Sequence, residues 1–212
     1  MPLDKTKYKV LKLDCPAEKV LRITFDRPET YNSLDADGHR ELAYIWREID
    51  DDPTINSVLL TGAGKAFSSG GDFEMIEKVM DDFDFRAQIW KEAKDLVYNV
   101  INCSKPIVSA INGPAVGAGL VAGLLADISI AGKKAKIVDG HTNLGVAAGD
   151  SAIINWPLLC GMAKSSQAAS TAREDGMCAV ASLPILTDHM LMAAFWGRHS
   201  GARTKCAQGK EQ

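Results

Sequence analysis

Short apolar runs alternate with longer amphipathic stretches along most of the chain. Compact runs of Val, Ile, Leu and Phe predict buried strands at residues 20–25, 57–60 and 107–111. Residues 35–49 instead place apolar side chains at every third or fourth position, which predicts an amphipathic helix with Ser33 or Asp35 as its N-cap. Because strands and helices alternate, the pattern predicts an α/β fold with a sheet buried beneath helices.

Further elements are predicted in the middle of the chain. Residues 89–101 repeat Ile, Leu and Val at helical spacing and predict a second long helix. Residues 106–126 carry no charge, but an Asn-Gly-Pro sequence and several glycines would interrupt a membrane-spanning helix. That segment therefore predicts a buried strand, a turn and a short apolar helix. Short strands are predicted after it, at residues 128–130 and 135–138.

The last quarter of the chain has a different character. The share of Ile, Val, Leu and Phe falls by about half after residue 164, below the level that usually supports a hydrophobic core. No helical or strand period opens this segment, and its end is polar and rich in small residues. The sequence therefore predicts a core domain at residues 1–164 and an atypical segment at residues 165–212.

Composition excludes several classes of protein. The 212 residues are 46% hydrophobic and 24% charged, with a formal net charge of −3, which is typical of a globular protein that needs no disulfide or metal support. The sequence contains no basic cluster of the kind that binds nucleic acid or a membrane, so we expect neither partner. The five cysteines form no CxxC pair, and the N-terminus shows no secretory pattern. We therefore expect reduced thiols, no metal and a cytoplasmic location.

Two glycine-rich loops are candidates for chemistry, at residues 62–73 and 112–119. The first contains Gly64-Lys65 but lacks the earlier glycine and the hydroxyl residue of a phosphate-binding P-loop, so that motif is rejected. In the second, Gly117 begins a GxGxxA pattern, but an Asn-Gly-Pro turn separates it from the preceding strand. This separation argues against a dinucleotide site.

A different interpretation uses both loops together. Each runs from a strand into a helix, and the first N–H groups of a helix are free to bind negative charge. Two such groups aimed at one point would form an oxyanion hole, and glycine or alanine would let a carbonyl approach the main chain. For either loop alone, a tight turn with close helix packing is the better explanation.

Five motifs follow one another along the chain: RPETYNSL (27–34), GAGKAFSSGGDF (62–73), KPIVSAINGPAVGAG (105–119), ADISIAG (126–132) and LGV (144–146). Their order and spacing resemble the enoyl-CoA hydratase and isomerase (crotonase) superfamily over residues 18–164. The resemblance implies a ClpP/crotonase-like α/β spiral of repeated ββα units. It also implies a CoA thioester as substrate, with no separate cofactor, whose carbonyl lies between the N–H groups of Gly71 and Ala118. These groups would stabilise the thioester enolate.

The resemblance implies further residues and an assembly. Positions near the bound acyl-CoA are matched by Tyr31, Ser69, Gly70, Asp72 and Val121. Tyr31 and Ser69 would act mainly through the main chain, and Asp72 chiefly by holding the loop. The family assembly would be a homotrimer or a dimer of trimers. By charge alone, the candidates for CoA phosphate contacts are Arg27, Lys65 and Lys105.

Two positions depart from the usual hydratase pattern of one glutamate after the second oxyanion loop and another after the following strand. Here these positions are Val121 and His141, so a two-glutamate mechanism is excluded by this alignment and a single-acid isomerase is disfavoured. His141 lies nine residues before Asp150, a spacing that resembles the His and Asp pair of β-diketone hydrolases in the same superfamily. Alternatively, His141 is bonded to main chain and Asp150 caps a helix near Ser151.

Three functions are therefore open from the sequence: an acyl-CoA enzyme, a retro-Claisen hydrolase of a β-diketone that uses His141 and Asp150, and a crotonase-fold protein without activity.

In the family, C-terminal helices cover the acyl pocket and much of the trimer interface. Because that pattern stops after Lys164, we hypothesise that residues 165–212 are translated out of the ancestral reading frame, or otherwise replaced, and are disordered or atypical. The alternative is an unusual but genuine C-terminus.

Overall fold

The computed structural model describes residues 2–138, 140–141, 156–157, 159 and 161–162. The strands are β1 (Leu11–Ala17), β2 (Val20–Phe25), β3 (Ser57–Gly62), β4 (Ile107–Ile111), β5 (Ala115–Val116), β6 (Ile128–Ala131) and β7 (Ile137–Val138). The helices are α1 (Ala36–Asp50), α2 (Phe73–Asp81), α3 (Phe83–Asn102) and α4 (Gly117–Leu125). Short 3-10 helices lie at Lys5–Lys7 and Pro28–Thr30. The predictions for residues 165–212 lie outside the described residues.

The main sheet has five strands in the order β1-β2-β3-β4-β6. β1 pairs antiparallel with β2, whereas the remaining neighbours are parallel, with Val20 opposite Ser57 and Val58 opposite Ile107. A separate small sheet pairs β5 with β7 in parallel. The three strands predicted from compact apolar runs are confirmed as β2, β3 and β4. The predicted α/β architecture is confirmed with them.

The hydrophobic core lies between the sheet and the helix pair α1 and α3. Trp46 and Ile49 on α1 and Leu96 on α3 are almost completely buried, as are Ile23 and Leu60 on the sheet. Each large apolar side chain buried in this way contributes about 1.5–3 kcal/mol to the driving force for folding. The helical spacing that predicted α1 therefore marks its core-facing side, and its N-cap is Asp35, which accepts the Gly38 N–H at 2.8 Å.

Besides the two-residue strand β5 and the short 3-10 helices, β1 and α2 were not predicted from the sequence. β1 is an edge strand that contains Pro16, and its pairing with β2 shifts register between Asp14 and Ala17. Proline interrupts the ladder there, which is tolerated only at an edge or a bulge. α2 has no fully buried residue, although Phe73, Ile76 and Met80 recur at helical spacing. Among the described residues, no helix is both long and apolar enough to cross a lipid bilayer.

Candidate active site

Three loops meet at one edge of the main sheet. β2, β3 and β4 run parallel, so the loops that follow Phe25, Gly62 and Ile111 leave the sheet on the same side. These loops carry the RPETYNSL, GAGKAFSSGGDF and NGPAVGAG motifs. The topology therefore brings together motifs that are far apart in the sequence.

Glycines form a close backbone contact between two of these loops. Gly70 has a φ angle of +87° and Gly117 one of +57°, a backbone region that favours glycine. A Cβ atom added to Gly117 would lie 2.9 Å from Gly70 Cα and 3.7 Å from the Gly71 nitrogen. Side chains at this point would hold the loops apart, so the glycines let residues 70–71 approach the start of α4.

Two asparagine side chains hold the GAGKAFSSGGDF loop from within. Asn32 is 1% exposed, and its Nδ2 donates to the carbonyl oxygens of Ala63 at 2.9 Å and Ala66 at 2.8 Å. Asn112 donates from Nδ2 to the Ala66 oxygen at 3.2 Å and accepts the Gly62 N–H at 3.2 Å. These amides satisfy main-chain groups that the turning loop leaves without strand partners. Neither asparagine was predicted as a site residue from the sequence.

Leu34 sets the direction of the Gly71 N–H. The Leu34 N–H donates to the Gly70 oxygen at 2.8 Å, and the Leu34 oxygen accepts the Asp72 N–H at 2.9 Å. Leu34 and Gly71 thus form a parallel β-bridge. Gly71 lies between Gly70 and Asp72, the two residues that bond to Leu34, so its own N–H is directed to the opposite side of its segment. The Gly71 N–H therefore points away from Leu34.

Ser68 links the two glycine-rich loops. Its fully buried Oγ accepts the Gly70 N–H at 3.2 Å and donates to the Asn32 oxygen at 3.0 Å. Its main-chain oxygen accepts the Val116 N–H at 2.8 Å, just before α4 begins. Gly119 packs directly on Ser68, because a Cβ atom at residue 119 would overlap the serine side chain. The link was not predicted from the sequence, which pointed to the neighbouring Ser69.

Gly71 and Ala118 carry the N–H donors expected from the sequence. Ala118 is the second residue of α4, where an N–H has no partner within the helix. Neither N–H donates a hydrogen bond to any residue that the structure describes. Both residues are half-buried, and the first turns of α2 and α4 add positive partial charge beside them. Such an arrangement can bind an oxyanion or a polarised carbonyl.

Other residues expected near a substrate lie around these donors. Ser69 donates its N–H to the Tyr31 oxygen at 2.9 Å, and the Tyr31 side chain is exposed at the rim of the loop. Asp72 caps α2 by accepting the Met75 N–H at 2.9 Å. Val121 on α4 is half-buried against the hydrophobic core. Val121, which the resemblance matched to a hydratase glutamate, therefore presents an apolar side chain.

His141 follows a strand that ends beside the start of α4. β5 and β7 are parallel, with Val116 opposite Val138, so their carboxyl ends lie at the same edge of the small sheet. α4 begins directly after β5, and the turn that carries His141 follows β7. A Cβ atom added to Gly140 would lie 3.7 Å from Val116 Cγ1. His141 is half-buried; Asp150 lies outside the described residues, so the His–Asp pair stays a prediction.

The charged side chains near the loops differ in their surroundings. Lys65 is exposed in the GAGKAFSSGGDF loop, and Lys105 is half-buried before β4. Arg27 instead faces the carboxylates of Asp35 and Asp72. Within the described part of the chain, no three His, Cys, Asp or Glu side chains are grouped as metal ligands would be.

Curated relatives of the chain are named as enzymes of CoA thioesters. The 1,2-epoxyphenylacetyl-CoA isomerase of Escherichia coli K12 is 34% identical over 129 residues, which cover 60% of this chain and 49% of that protein. The short-chain-enoyl-CoA hydratase of Clostridium acetobutylicum is 31% identical over 156 residues, which cover 73% of this chain and 59% of that protein. The chain spans about half the length of the curated relatives it matches.

Solved structures give the same assignment of fold and family. The crystal structure of an enoyl-CoA hydratase/isomerase from Mycobacterium paratuberculosis matches with a TM-score of 0.73 and 34% identity, covering 76% of this chain and 65% of that one. The crotonase-like fold that the motifs implied is thereby confirmed. The profile of the enoyl-CoA hydratase/isomerase family matches residues 16–177. Because this match covers more than half of the 212 residues, the chain belongs to the enoyl-CoA hydratase/isomerase family.

Proposed function

We propose that this chain is an acyl-CoA enzyme of the hydratase or isomerase type, which binds a thioester carbonyl between the N–H groups of Gly71 and Ala118. One observation carries the proposal. Two N–H groups, neither of which has a partner among the described residues, lie where two loops touch backbone to backbone. The CoA-processing relatives support the substrate class. Met75 and Ile76, which lie within 4 Å of a Cβ atom added to Gly71, offer apolar surface for the acyl chain.

The two N–H donors would act on the charge that develops during the reaction. In hydration, a water oxygen bonds to the β-carbon, the electrons of the carbon–carbon double bond form the double bond of an enolate, and the carbonyl electrons move to the thioester oxygen. His141 takes the proton lost by the water and returns a proton to the α-carbon, which restores the carbonyl and the neutral base. Because the oxyanion exists only between these steps, fixed donors aimed at it lower the barrier rather than merely bind substrate.

A matched pair of substitutions at Gly71 tests the proposal. Gly71→Pro removes the N–H, whereas Gly71→Ala keeps it and brings the new methyl only against the flexible end of Met75. We expect the proline variant to lose about 10²–10³-fold in kcat and the alanine variant to keep most of its activity. Melting temperature and affinity for free CoA serve as controls for folding. Equal kcat values for folded proline and alanine variants would contradict the oxyanion role.

A second candidate function is favoured by Val121 and His141. With Val121 in place of an acid on α4 and the turn that carries His141 close to the start of α4, the chain could hydrolyse a β-diketone without CoA. Water, deprotonated by His141, would add to one carbonyl carbon; the carbon–carbon bond would break, leaving a carboxylic acid and the enolate of the other ketone. The N–H groups would hold this enolate until a proton from His141 reached its carbon.

Ligand binding separates these functions. An acyl-CoA enzyme gains thermal stability from a CoA thioester, because a ligand that binds only the folded state stabilises it. A diketone hydrolase should gain no stability from the thioester and should turn over a cyclic β-diketone. A protein that turns over neither substrate class is a crotonase-fold protein without activity.

Assembly and location complete the proposal. From the family likeness, we propose that the chain forms a homotrimer or a dimer of trimers and works in the cytoplasm. Sedimentation equilibrium of the full chain tests the first statement, and a monomer at micromolar concentration would contradict it.

A further inference from the structure

Arg27 has two acidic neighbours on different elements. Its Nη1 lies 3.0 Å from Asp35 Oδ2 and 3.9 Å from Asp72 Oδ2, and it also contacts the Ser33 oxygen at 3.5 Å. The Arg27 side chain is 29% exposed. Charge alone made Arg27 a candidate for a CoA phosphate contact, but its guanidinium already has two carboxylate partners.

Each of these carboxylates also caps a helix. Asp35 Oδ1 accepts the Gly38 N–H at the start of α1, at 2.8 Å, and Asp72 Oδ1 accepts the Met75 N–H at the start of α2, at 2.9 Å. In both residues the second oxygen, Oδ2, faces Arg27. One guanidinium therefore connects the first turns of two helices.

The same two aspartates flank the bridge that directs the Gly71 N–H. Asp35 follows Leu34, and Asp72 follows Gly71, so Arg27 connects the two bridged segments at matching positions. The bridge itself consists of the hydrogen bonds that Leu34 makes to Gly70 and Asp72. A shift of Asp72 relative to Asp35 would change these bonds and rotate the Gly71 peptide.

We propose that Arg27 is a positioning residue, which holds Asp35 and Asp72 in register and thereby fixes the direction of the Gly71 N–H. This inference rests on the proposed function, since that N–H is the donor to the thioester carbonyl. In this proposal Arg27 contacts neither the carbonyl nor the CoA phosphates, because its guanidinium faces Asp35 and Asp72. Its effect should therefore fall on kcat and not on the affinity for CoA.

Kinetics of Arg27→Met on the full chain separate positioning from phosphate binding. We expect kcat for a crotonyl-type CoA thioester to fall about 10- to 100-fold, because small displacements of a reacting group have effects of this size. Affinity for free CoA should stay within about threefold, because no phosphate contact is lost. A large loss of CoA affinity with unchanged kcat would overturn the proposal. The matched control is Arg22→Met, which breaks the Arg22–Asp14 ion pair between β1 and β2, away from the loops.

Asp72→Asn gives a second variant in case Arg27→Met does not fold. Asparagine keeps the cap on α2 but removes the charge that faces Arg27. We expect the same fall in kcat as for Arg27→Met, and the double variant should be hardly worse than either single variant, because both changes remove the Arg27–Asp72 interaction. Fully additive losses in kcat would overturn the proposal.

The Gly71 amide resonance tests positioning without any turnover. In the full chain labelled with ¹⁵N-glycine, Arg27→Met should shift the Gly71 ¹H–¹⁵N signal, and Arg22→Met should not. If the wild-type protein turns over no thioester, the proposed function fails while this signal still reports on Arg27. An unchanged Gly71 resonance in a folded Arg27→Met variant would overturn the positioning role.

Discussion

His141 is the residue on which the choice of chemistry depends. The pairing of β5 with β7 brings its turn close to the start of α4, while Val121 offers no group that can transfer a proton. If His141 and Asp150 act as one proton-handling unit, His141→Ala and Asp150→Asn should each lower kcat strongly. The double variant should then be hardly worse, because members of a catalytic unit are not additive.

The substrate and the control for this prediction are both defined. Steady-state kinetics with a crotonyl-type CoA thioester and, separately, with a cyclic β-diketone identify the accepted substrate class. His39→Ala is no useful control because His39 is buried, so Asn56→Ala at an exposed position is the matched variant. An unchanged kcat in folded His141→Ala on the accepted substrate would remove the pair from the mechanism.

The residues that hold the loops in place were harder to predict than the residues whose N–H groups the loops expose. The motifs pointed to Gly71 and Ala118 because their order and spacing are specific to the family. Asn32 and Ser68 act through buried hydrogen bonds to main-chain groups more than 30 residues away or in a second loop. No local pattern encodes such partners, because only the folded topology brings them into contact.

At the scale of elements, the NGPAVGAG loop packs against the GAGKAFSSGGDF loop with no space for a side chain at Gly113. A Cβ atom on Gly113 would overlap the Lys65 carbonyl oxygen, which belongs to the backbone and cannot move aside as a flexible side chain can. We therefore expect Gly113→Ala to lower the free energy of unfolding by about 3 kcal/mol or more, measured by urea denaturation. The chain should also lose activity, because the displaced loop carries Ala118 at its end.

Gly132 provides the matched control for this substitution. The nearest atom to a Cβ at residue 132 is the Ile111 oxygen at 3.5 Å, an ordinary contact distance. Gly132→Ala should change the free energy of unfolding by less than about 1 kcal/mol. Similar losses for the two variants would contradict the close approach of the loops.

The elements predicted from apolar periodicity are those that contribute most to the core. β2, β3, β4 and α1 each bury an apolar face, so their spacing is imposed by packing. β1 and α2 lack that constraint: one is an edge strand broken by Pro16, and the other buries no residue completely. The sequence did carry signs of α2, namely the cap at Asp72 and the helical spacing of Phe73, Ile76 and Met80.

At the scale of the whole molecule, a buried polar cluster joins α1 to α3. Glu92 is 2% exposed, and its carboxylate contacts His39 Nδ1 at 3.0 Å, Arg40 Nε at 3.2 Å and Gln88 Nε2 at 2.9 Å. Burial raises the pKa of Glu92, but the hydrogen bonds from His39 and Gln88, with Arg40, lower it by more, and the net pKa lies below the ordinary value. The Glu92 carboxylate therefore binds a proton less readily in the folded state than in the unfolded chain.

Acid should destabilise the protein partly through Glu92. A carboxyl group whose pKa is lowered on folding adds stability above its unfolded pKa, and that stability is lost as the pH falls through the folded pKa. We expect the free energy of unfolding to fall more between pH 7 and about pH 3.5 in the wild type than in Glu92→Gln. Urea denaturation at both pH values measures the difference.

An exposed carboxyl group supplies the reference for this pH dependence. Glu18→Gln changes one charge at a surface position and should keep the wild-type loss of stability in acid. If Glu92→Gln and the wild type lose the same free energy of unfolding over this pH range, Glu92 does not contribute to acid sensitivity.

Polarisation of a bound thioester carbonyl tests the central claim most directly. In the full chain with a crotonyl-type CoA thioester bound, two N–H donors from Gly71 and Ala118 should draw electron density to the carbonyl oxygen. Infrared difference spectra of the ¹³C-labelled carbonyl should then show its stretch at lower frequency than in water, and Gly71→Pro should reverse most of that shift. A thioester that binds with its carbonyl frequency unchanged from water would contradict the oxyanion hole.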